Sequence, residues 1–413
     1  MEQLYLDNFR GFSEQLIDIR NVNFLVGENS SGKSSVLMVL NSISSPRFWF
    51  NLDFHSGDDQ VYSFEDLVSA EARDKSHFQI GYICDDSNGT SFLFKFTNFN
   101  GSPIISSGII GIKGGICTFY CKEKQVKFKI VKNRKMSFNM LELLSENDID
   151  MLETMHMPAF ANGISAPALW LSFCESVNCD KKDRFLGRLP TKPITPIAPI
   201  RSKPRKTYDE AGIVKNPEGD HIPYAIRQIL KANIDFSENI NMFGNQSGLF
   251  KRINIKDYDS LSSDAPFRMN FVLNKKPINI VNIGYGVSQV LPILYALYTQ
   301  GNNVIAIQQP EVHLHPKAQA ALGDAFFDLS IMEKGKKLIV ETHSDYIIDR
   351  FKQKQRKSRQ KASVHVLFFL RKNGINKVFT INIDKNGNYD ANQPPEFREF
   401  FIKEELENLG LQP

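Results

Sequence analysis

"FLVGENSSGKSSVLMVL", residues 24 to 40, runs an apolar strand into a loop held between two glycines and then into an amphipathic helix. The loop, Gly27 to Ser34, has the spacing G-x-x-x-x-G-K-[ST], and its flanks stand where that spacing requires them. Gly27 and Gly32 permit a tight turn, so the backbone N–H groups of Glu28, Asn29, Ser30, Ser31 and Lys33 can wrap a phosphate. The helix N-terminus adds partial positive charge. Lys33 is placed to reach the outer phosphates, and the hydroxyl of Ser34, with Ser35 behind it, is placed for magnesium.

The segments around this unit predict the rest of the architecture. Residues 2 to 12 read as a strand and turn, and "LIDIRNVNFLVGEN" as two further strands. Residues 77 to 132 alternate apolar and polar positions between turn signals, which predicts an antiparallel meander. From about 137 to 183 the apolar spacing becomes three and four, which predicts helices. "RLPTKPITPIAPIRSKPRK", residues 188 to 206, is proline-rich and basic, hence extended and partly exposed. Beyond it, "NVIAIQQ", "KKLIVETHS", "VHVLFFLRK" and "KVFTINIDKNGNY" read as strands, with helices at "IPYAIRQILKANI", "SENINMF", "VSQVLPILYALYTQ", "KAQAALGDAFFDL" and "PEFREFFIKEELENL". The fold class predicted is α/β: a P-loop head with a mixed sheet and flanking helices, carrying an inserted α+β region. The boundaries expected are 1–135, 136–247 and 248–413.

Composition narrows the function classes. The 413 residues are 42% hydrophobic, enough for a substantial core, and the net charge of +4 is close to balance, so any nucleic-acid surface has to be a local patch. Five cysteines without a C-x-x-C pair read as reduced cytoplasmic thiols, and Cys117 with Cys121 is a weak zinc pattern. No apolar run is long enough to span a membrane, and no N-terminal leader pattern is present.

The second informative stretch is "IQQPEVHLHP", residues 307 to 316. An apolar strand ends here where a phosphate-loop enzyme keeps a carboxylate for metal and water, yet Gln308 and Gln309 are amides. An amide binds a hydrated cation poorly and takes up a proton hardly at all.

Taken in order, "NFRGF", "GENSSGKSS", "QQPEVHLHP" and "VETHSD" resemble ATPases of the ABC and SMC/RecF class, and closer still the prokaryotic AAA-type ATPases related to the OLD (overcoming lysogenization defect) proteins. The resemblance covers roughly residues 1 to 70 and 270 to 385 and leaves the middle of the chain outside. It implies ATP and Mg2+ as cofactors, with Ser34 and Gln308 at the metal. Gln308 departs from the family's acid, and three accounts stand open: an introduced amide that traps unhydrolysed ATP, a natural slow ATPase that keeps ATP as a clamp, or a displaced acid with Glu311 supplying the charge. Gln309 is a family variant. The resemblance makes His343 the sensor of the γ-phosphate and brings Arg10 toward the nucleotide, whereas His313 and His315 belong to a partner-facing segment rather than a zinc site. It also places the partner-facing signature at "NIGYGVSQVLPIL", where Gly284, Tyr285 and Gly286 keep the small-residue turn and Ser288 stands in for the missing serine.

These assignments imply a homodimer, or higher homo-oligomer, that sandwiches ATP. The chain has no long heptad arms, and only about 70 residues follow His343, too few for an appended nuclease domain. OLD-like proteins of that kind work beside a separate nuclease or toxin in anti-phage systems such as Septu, PARIS and retrons, so a separate effector protein is the partner expected by analogy. The alternative is a repair or recombination clamp on duplex DNA. Its contacts would come from 352–361, with six Lys or Arg in ten residues, or from 188–206, where Arg201, Lys203, Arg205 and Lys206 would meet phosphates. A free-standing nuclease is disfavoured because no acidic cluster outside the ATP site has metal-ligand spacing.

Overall fold

A computed structural model describes residues 2–55, 61–84, 91–112, 115–122, 125–132, 153–156, 194–209, 215–259, 265–273, 275–301, 304–333, 335–391 and 393–399. In chain order the first strands are β1 (Glu2–Asp7), β2 (Gln15–Ile19), β3 (Val22–Gly27), β4 (His77–Ile83), β5 (Phe92–Phe99), β6 (Ser102–Ile112), β7 (Gly115–Lys122), β8 (Gln125–Lys132) and β9 (Glu153–His156). There follow β10 (Ile194–Ile197), β11 (Arg252–Asp257), β12 (Phe267–Val272), β13 (Pro277–Asn279), β14 (Val304–Gln308), β15 (Lys337–Glu341), β16 (Val364–Lys372) and β17 (Ile375–Asn382). The helices are α1 (Lys33–Ser44), α2 (Pro46–Asn51), α3 (Phe64–Leu67), α4 (Ile222–Ala232), α5 (Ile234–Ser247), α6 (Tyr285–Tyr298), α7 (Pro316–Met332) and α8 (Asp345–Lys357). The helices expected over 137–183 lie outside the described residues. No described helix is long and apolar enough to cross a membrane.

The chain divides into two units, one of Met1–Arg20, Gly27–Pro193 and Phe369–Thr380, the other of Asn21–Val26, Ile194–Phe368 and Ile381–Pro413. In the first, the expected meander is part of an eight-stranded sheet of order β2-β1-β4-β5-β6-β7-β8-β9. Alternation along β4 buries Phe78, Ile80 and Tyr82 on one face. Phe78 stacks on Phe96 with ring centroids 4.9 Å apart, and Phe48 and Trp49 of α2 add edge contacts to Phe54 (5.1 Å) and Phe92 (5.1 Å). This aromatic cluster is the core of the unit, and such pairs stabilise beyond their buried area.

The second unit is built on parallel strands. β10, β14, β15 and β3 lie side by side in that order and parallel, within the sheet β10-β14-β15-β3-β16-β17. Val304 to Ile307, Leu338 to Glu341 and Val22 to Val26 are buried throughout. That is why they read as apolar runs without alternation: both faces of a parallel sheet are covered. Against it, Phe351 of α8 meets Phe24 at 5.4 Å and Phe327 of α7 at 5.3 Å. A Cβ on Gly323 would come within 2.4 Å of Ile347 O, so only glycine lets α7 and α8 approach this closely.

One expectation needs correction here, and two stretches take their form only in the structure. The proline-basic segment is extended, but Ile194–Ile197 is a strand pairing with β14, and Arg201 is buried at 2% exposure, so it cannot present its charge to a nucleic acid. "PINIVNIGYG" is strand only over Pro277–Asn279 and then turns through a short 3-10 segment, Ile280–Asn282. Arg252–Asp257 and Phe267–Val272 form β11 and β12 of a separate three-stranded sheet with β13.

Candidate functional site

The phosphate loop belongs to the first unit and begins where β3 ends. Gly27 has φ 142°, and a Cβ there would stand 2.1 Å from Phe369 O; Gly32 has φ 102°, and its Cβ would strike the Phe12 ring at 2.4 Å. Both glycines are therefore demanded by sterics as well as by backbone conformation. Ser31 Oγ donates to Glu28 O at 2.7 Å and pins the turn. Lys33 is 4% exposed, and its Nζ donates to Gly27 O at 2.8 Å and Glu28 O at 2.6 Å, so the ammonium spans the loop from within. The first bond across the N-terminus of α1 is Val36 N–H to Gly32 O, which leaves the Ser34 and Ser35 amides ahead of the ladder and directed along the helix axis. Glu28, Asn29, Ser30 and Ser34 are exposed.

The strand end at Gln308 belongs to the second unit. In register, Gln308 of β14 stands opposite Glu341 of β15, and Glu341 opposite Leu25 of β3, so three parallel strands finish at one edge of the sheet. Ligands of open α/β sheets bind beyond such carboxyl ends. Gln308 Nε2 donates to Glu341 Oε2 at 3.1 Å. Only the NH2 end of an amide can donate to a carboxylate, so this bond fixes the side chain and leaves Oε1 as its acceptor. Gln309 takes φ 44° while its N–H donates to Glu341 O at 2.8 Å, a left-handed corner in a residue with a side chain.

Arg201 reaches this corner from the segment after β10. Its Nη2 donates to Gln308 O at 2.8 Å and to Gln309 O at 3.3 Å, while Nε and Nη1 are buried without a hydrogen-bond partner. Burial pushes the guanidinium down to about 10, against the pull of Glu311, so it remains a cation at neutral pH. Glu311 is occupied: Oε2 accepts from Thr342 Oγ1 at 2.7 Å and Oε1 from the His343 N–H at 2.8 Å. It thus ties the loop after β14 to the turn after β15, and His343 stands exposed on that turn. Glu311 is not the sole carboxylate near Gln308, as the sequence suggested; Glu341, 6% exposed, touches the Gln308 amide directly.

The glycine turn packs on the same loop. Tyr285 meets the His313 ring edge-on at 4.9 Å, and a Cβ on Gly286 would lie 2.5 Å from His313 O. Gly284 and Tyr285 are exposed, whereas Ser288 is buried and donates its hydroxyl to Tyr285 O at 2.7 Å, within its own helix. His315 caps α7, accepting from Ala318 N–H, which gives one member of the H-x-H pair a structural task. Arg10 belongs to the first unit, with its guanidinium 4.1 Å above the Tyr62 ring and Nε donating to Asp66 O at 3.0 Å. Burial pushes the Cys121 thiol up to about 12 and Cys117 higher still, and among the described residues no group of three metal-ligating side chains gathers around them.

Of the candidate residues, the structure gathers Arg10 and Gly27–Ser35 within the first unit, and Gly284–Ser288, Gln308–Glu311 and His343 within the second. Sequence reasoning missed Glu341, Thr342 and Arg201. The first two close the quoted "VETHSD" strand and were legible as an acid ending a buried run; nothing in the sequence pairs Arg201 with Gln308. At the strand end of the second unit the Gln308 Oε1 and the Glu341 carboxylate are oxygens of the kind a hard cation takes; in the first unit the exposed Ser34 hydroxyl is another. In the basic segment 352–361, Lys354 pairs with Asp328 and Lys352 with Asp349, while Arg356 donates to Asn386 O and Lys361 to Gln355 O, so two of its six charges meet an acid.

Two family models match the chain: one described as "AAA ATPase domain" over residues 1–156, and one described as "AAA domain, putative AbiEii toxin, Type IV TA system" over residues 170–349. No curated protein matches the sequence. Among solved structures, the chain is similar to an SMC head bound to the C-winged helix domain of ScpA (12% identity, 93% of this chain and 98% of that chain, TM-score 0.49). It is also similar to the SMC head domain from Thermotoga maritima (13%, 92% and 98%, 0.38) and to the Smc head with an extended coiled coil from Pyrococcus furiosus (10%, 93% and 98%, 0.45).

Proposed function

We propose, from the premise that this chain is a P-loop ATPase of the ABC/SMC class, that it holds Mg-ATP between two copies of itself, turns it over slowly, and in that state governs a separate effector protein. The observation that carries slow turnover is the bond between the neutral Gln308 and Glu341. Gln308 can orient a water or a metal-bound oxygen but cannot take its proton. Glu341 keeps the charge one strand away, with one oxygen committed to the amide.

In this reading Lys33 and the loop amides bind the phosphates, and Ser34 Oγ and Gln308 Oε1 would hold magnesium. The ion, when bound, neutralises charge that develops on the β- and γ-phosphate oxygens. His343, fixed through its backbone by Glu311, would sense the γ-phosphate, and Gly284 to Gly286 would meet the nucleotide of the partner copy. The match of residues 170–349 to a model described as "AAA domain, putative AbiEii toxin, Type IV TA system" supports a toxin–antitoxin setting, while a separate nuclease or toxin effector and anti-phage defence rest on the sequence resemblance. The DNA-clamp reading loses Arg201, which is buried, and would rest on the charges of 352–361 that meet no acid among the described residues.

The test is ATP binding by a fluorescent analogue, phosphate release, and mass by light scattering, for the wild type and Lys33→Ala. ATP-dependent doubling of mass with phosphate release slower than about 1 per minute supports the proposal. Absence of ATP binding by the wild type, or fast release, sinks it.

A further inference from the structure

We propose that the second unit carries a binding site for a small organic anion with a flat ring, in the cavity between β10 and α6, and that its occupancy is transmitted to the tip of β14. The transmission rests on the function proposed above; the binding does not.

The cavity has a volume of about 330 Å³, within the range of small-molecule sites. Its walls are stiff and in part apolar, with Ile194 and Pro196 of β10 on one side and Pro292 and Ala296 of α6 on the other. Prolines and a strand backbone lose little freedom when they meet a ligand, which favours a flat, rigid body. Lys215, His221, Tyr295 and Gln300 supply the polar groups, and among the described residues no carboxylate lines the space. His221 faces Tyr295 edge-on at 6.4 Å, so two aromatic rings line the space and offer a flat ligand their faces or edges. Its imidazole is held below the ordinary value by burial and then by the Lys215 charge, against the pull of the neighbouring Asp220. An anion there meets Lys215 without opposition from a lining acid.

Both walls run to the strand end described above. β10 pairs with β14 residue for residue from Ile194 opposite Val304 to Ile197 opposite Ile307, and four residues beyond Ile197 the Arg201 guanidinium grips Gln308 O and Gln309 O. The other wall, α6, begins with the Tyr285–Gly286 turn packed on His313. A ligand that fixes β10 against α6 selects one placement of both. A ligand shifts such an equilibrium only through its different affinity for the two placements.

The experiment uses the full chain and three probes: phenyl phosphate, phenol as its neutral counterpart and inorganic phosphate as the bare anion. Saturation-transfer NMR and calorimetry are expected to show phenyl phosphate bound at least about tenfold tighter than either control. Lys215→Glu should weaken it by a similar factor. Ala296→Trp fills the cavity and should abolish binding; Gln300→Trp, at the exposed mouth, should do so without disturbing the core. Lys33→Ala, which removes ATP binding, should leave the probe bound. The site is overturned if the controls bind equally well, if both tryptophan variants bind unchanged, or if Lys33→Ala abolishes the probe, which would place it in the phosphate loop. Transmission is overturned if saturating probe leaves ATP affinity and phosphate release of the wild type unchanged while ATP binding itself is intact.

Discussion

Gln308→Glu restores an acid at the tip of β14, yet the structure predicts that this acid will not be an ordinary one. The amide now donates to Glu341 Oε2 at 3.1 Å. Two carboxylates at that separation repel by about 5 kcal/mol at an effective dielectric constant near 20. Uptake of one proton caps the cost. Protonating a carboxyl of ordinary value, about 4.3, costs roughly 3.7 kcal/mol at pH 7 and about 1 kcal/mol at pH 5. The folded variant holds a proton that its unfolded chain gives up above about pH 4.3, so its stability falls as pH rises. Thermal denaturation without divalent cation or nucleotide should therefore show a loss of about 2–4 kcal/mol at pH 7 that shrinks to about 1 at pH 5. The exchange Gln308→Glu with Glu341→Gln puts one amide and one carboxylate back in contact and should recover most of the loss. In that double variant the acid stands on β14, and phosphate release should exceed the wild-type rate by on the order of a hundredfold, the contribution of a placed general base. A single variant as stable as the wild type at pH 7, or a double variant no better than the single one, would refute the contact between β14 and β15 on which this reasoning rests.

Lys33→Ala should weaken ATP binding by about a hundredfold or more in fluorescence titration, because a buried ammonium and its phosphate contact are both removed. Arg201→Met should change stability by less than about 1 kcal/mol, since the lost carbonyl bonds are offset by removal of two unpartnered donors, Nε and Nη1; phosphate release should nevertheless change severalfold as Gln309 loses its restraint. Gly286→Ala should cost about 1–3 kcal/mol by denaturation because its Cβ lies 2.5 Å from His313 O, whereas Gly284→Ala, with nothing within 4 Å, should be nearly neutral. His77 and His221 are held below their ordinary value, each chiefly by burial, so the unfolded chain binds protons that the folded chain refuses; stability should fall as pH drops below about 6.5, and His77→Gln with His221→Gln should flatten that slope in a pH series of denaturation midpoints.

Much of the fold was legible because its signals are local. The loop of residues 27 to 34 needs glycine at two positions for reasons of φ and steric contact, and the buried strands β14 and β15 announce themselves as short runs apolar on both faces. β10 was obscured by its prolines: Pro196 lies on an edge strand, the one place in a sheet that tolerates a missing N–H. β11 and β12 alternate, but their exposed Arg252, Asn254 and Lys256 carry too little apolar pattern to stand out.

By itself, then, the sequence determined the phosphate loop, the amide at position 308, the glycine turn and the alternation of strands and helices at both ends, since each depends on residues within a few positions of one another. The tertiary structure alone decided what the amide touches. Glu341 lies 33 positions from Gln308 and Arg201 lies 107, and both meet it through strand register and a side chain reaching across from β10. Register is a property of paired strands in a packed sheet, set by how their buried faces fit together, and no local pattern carries it.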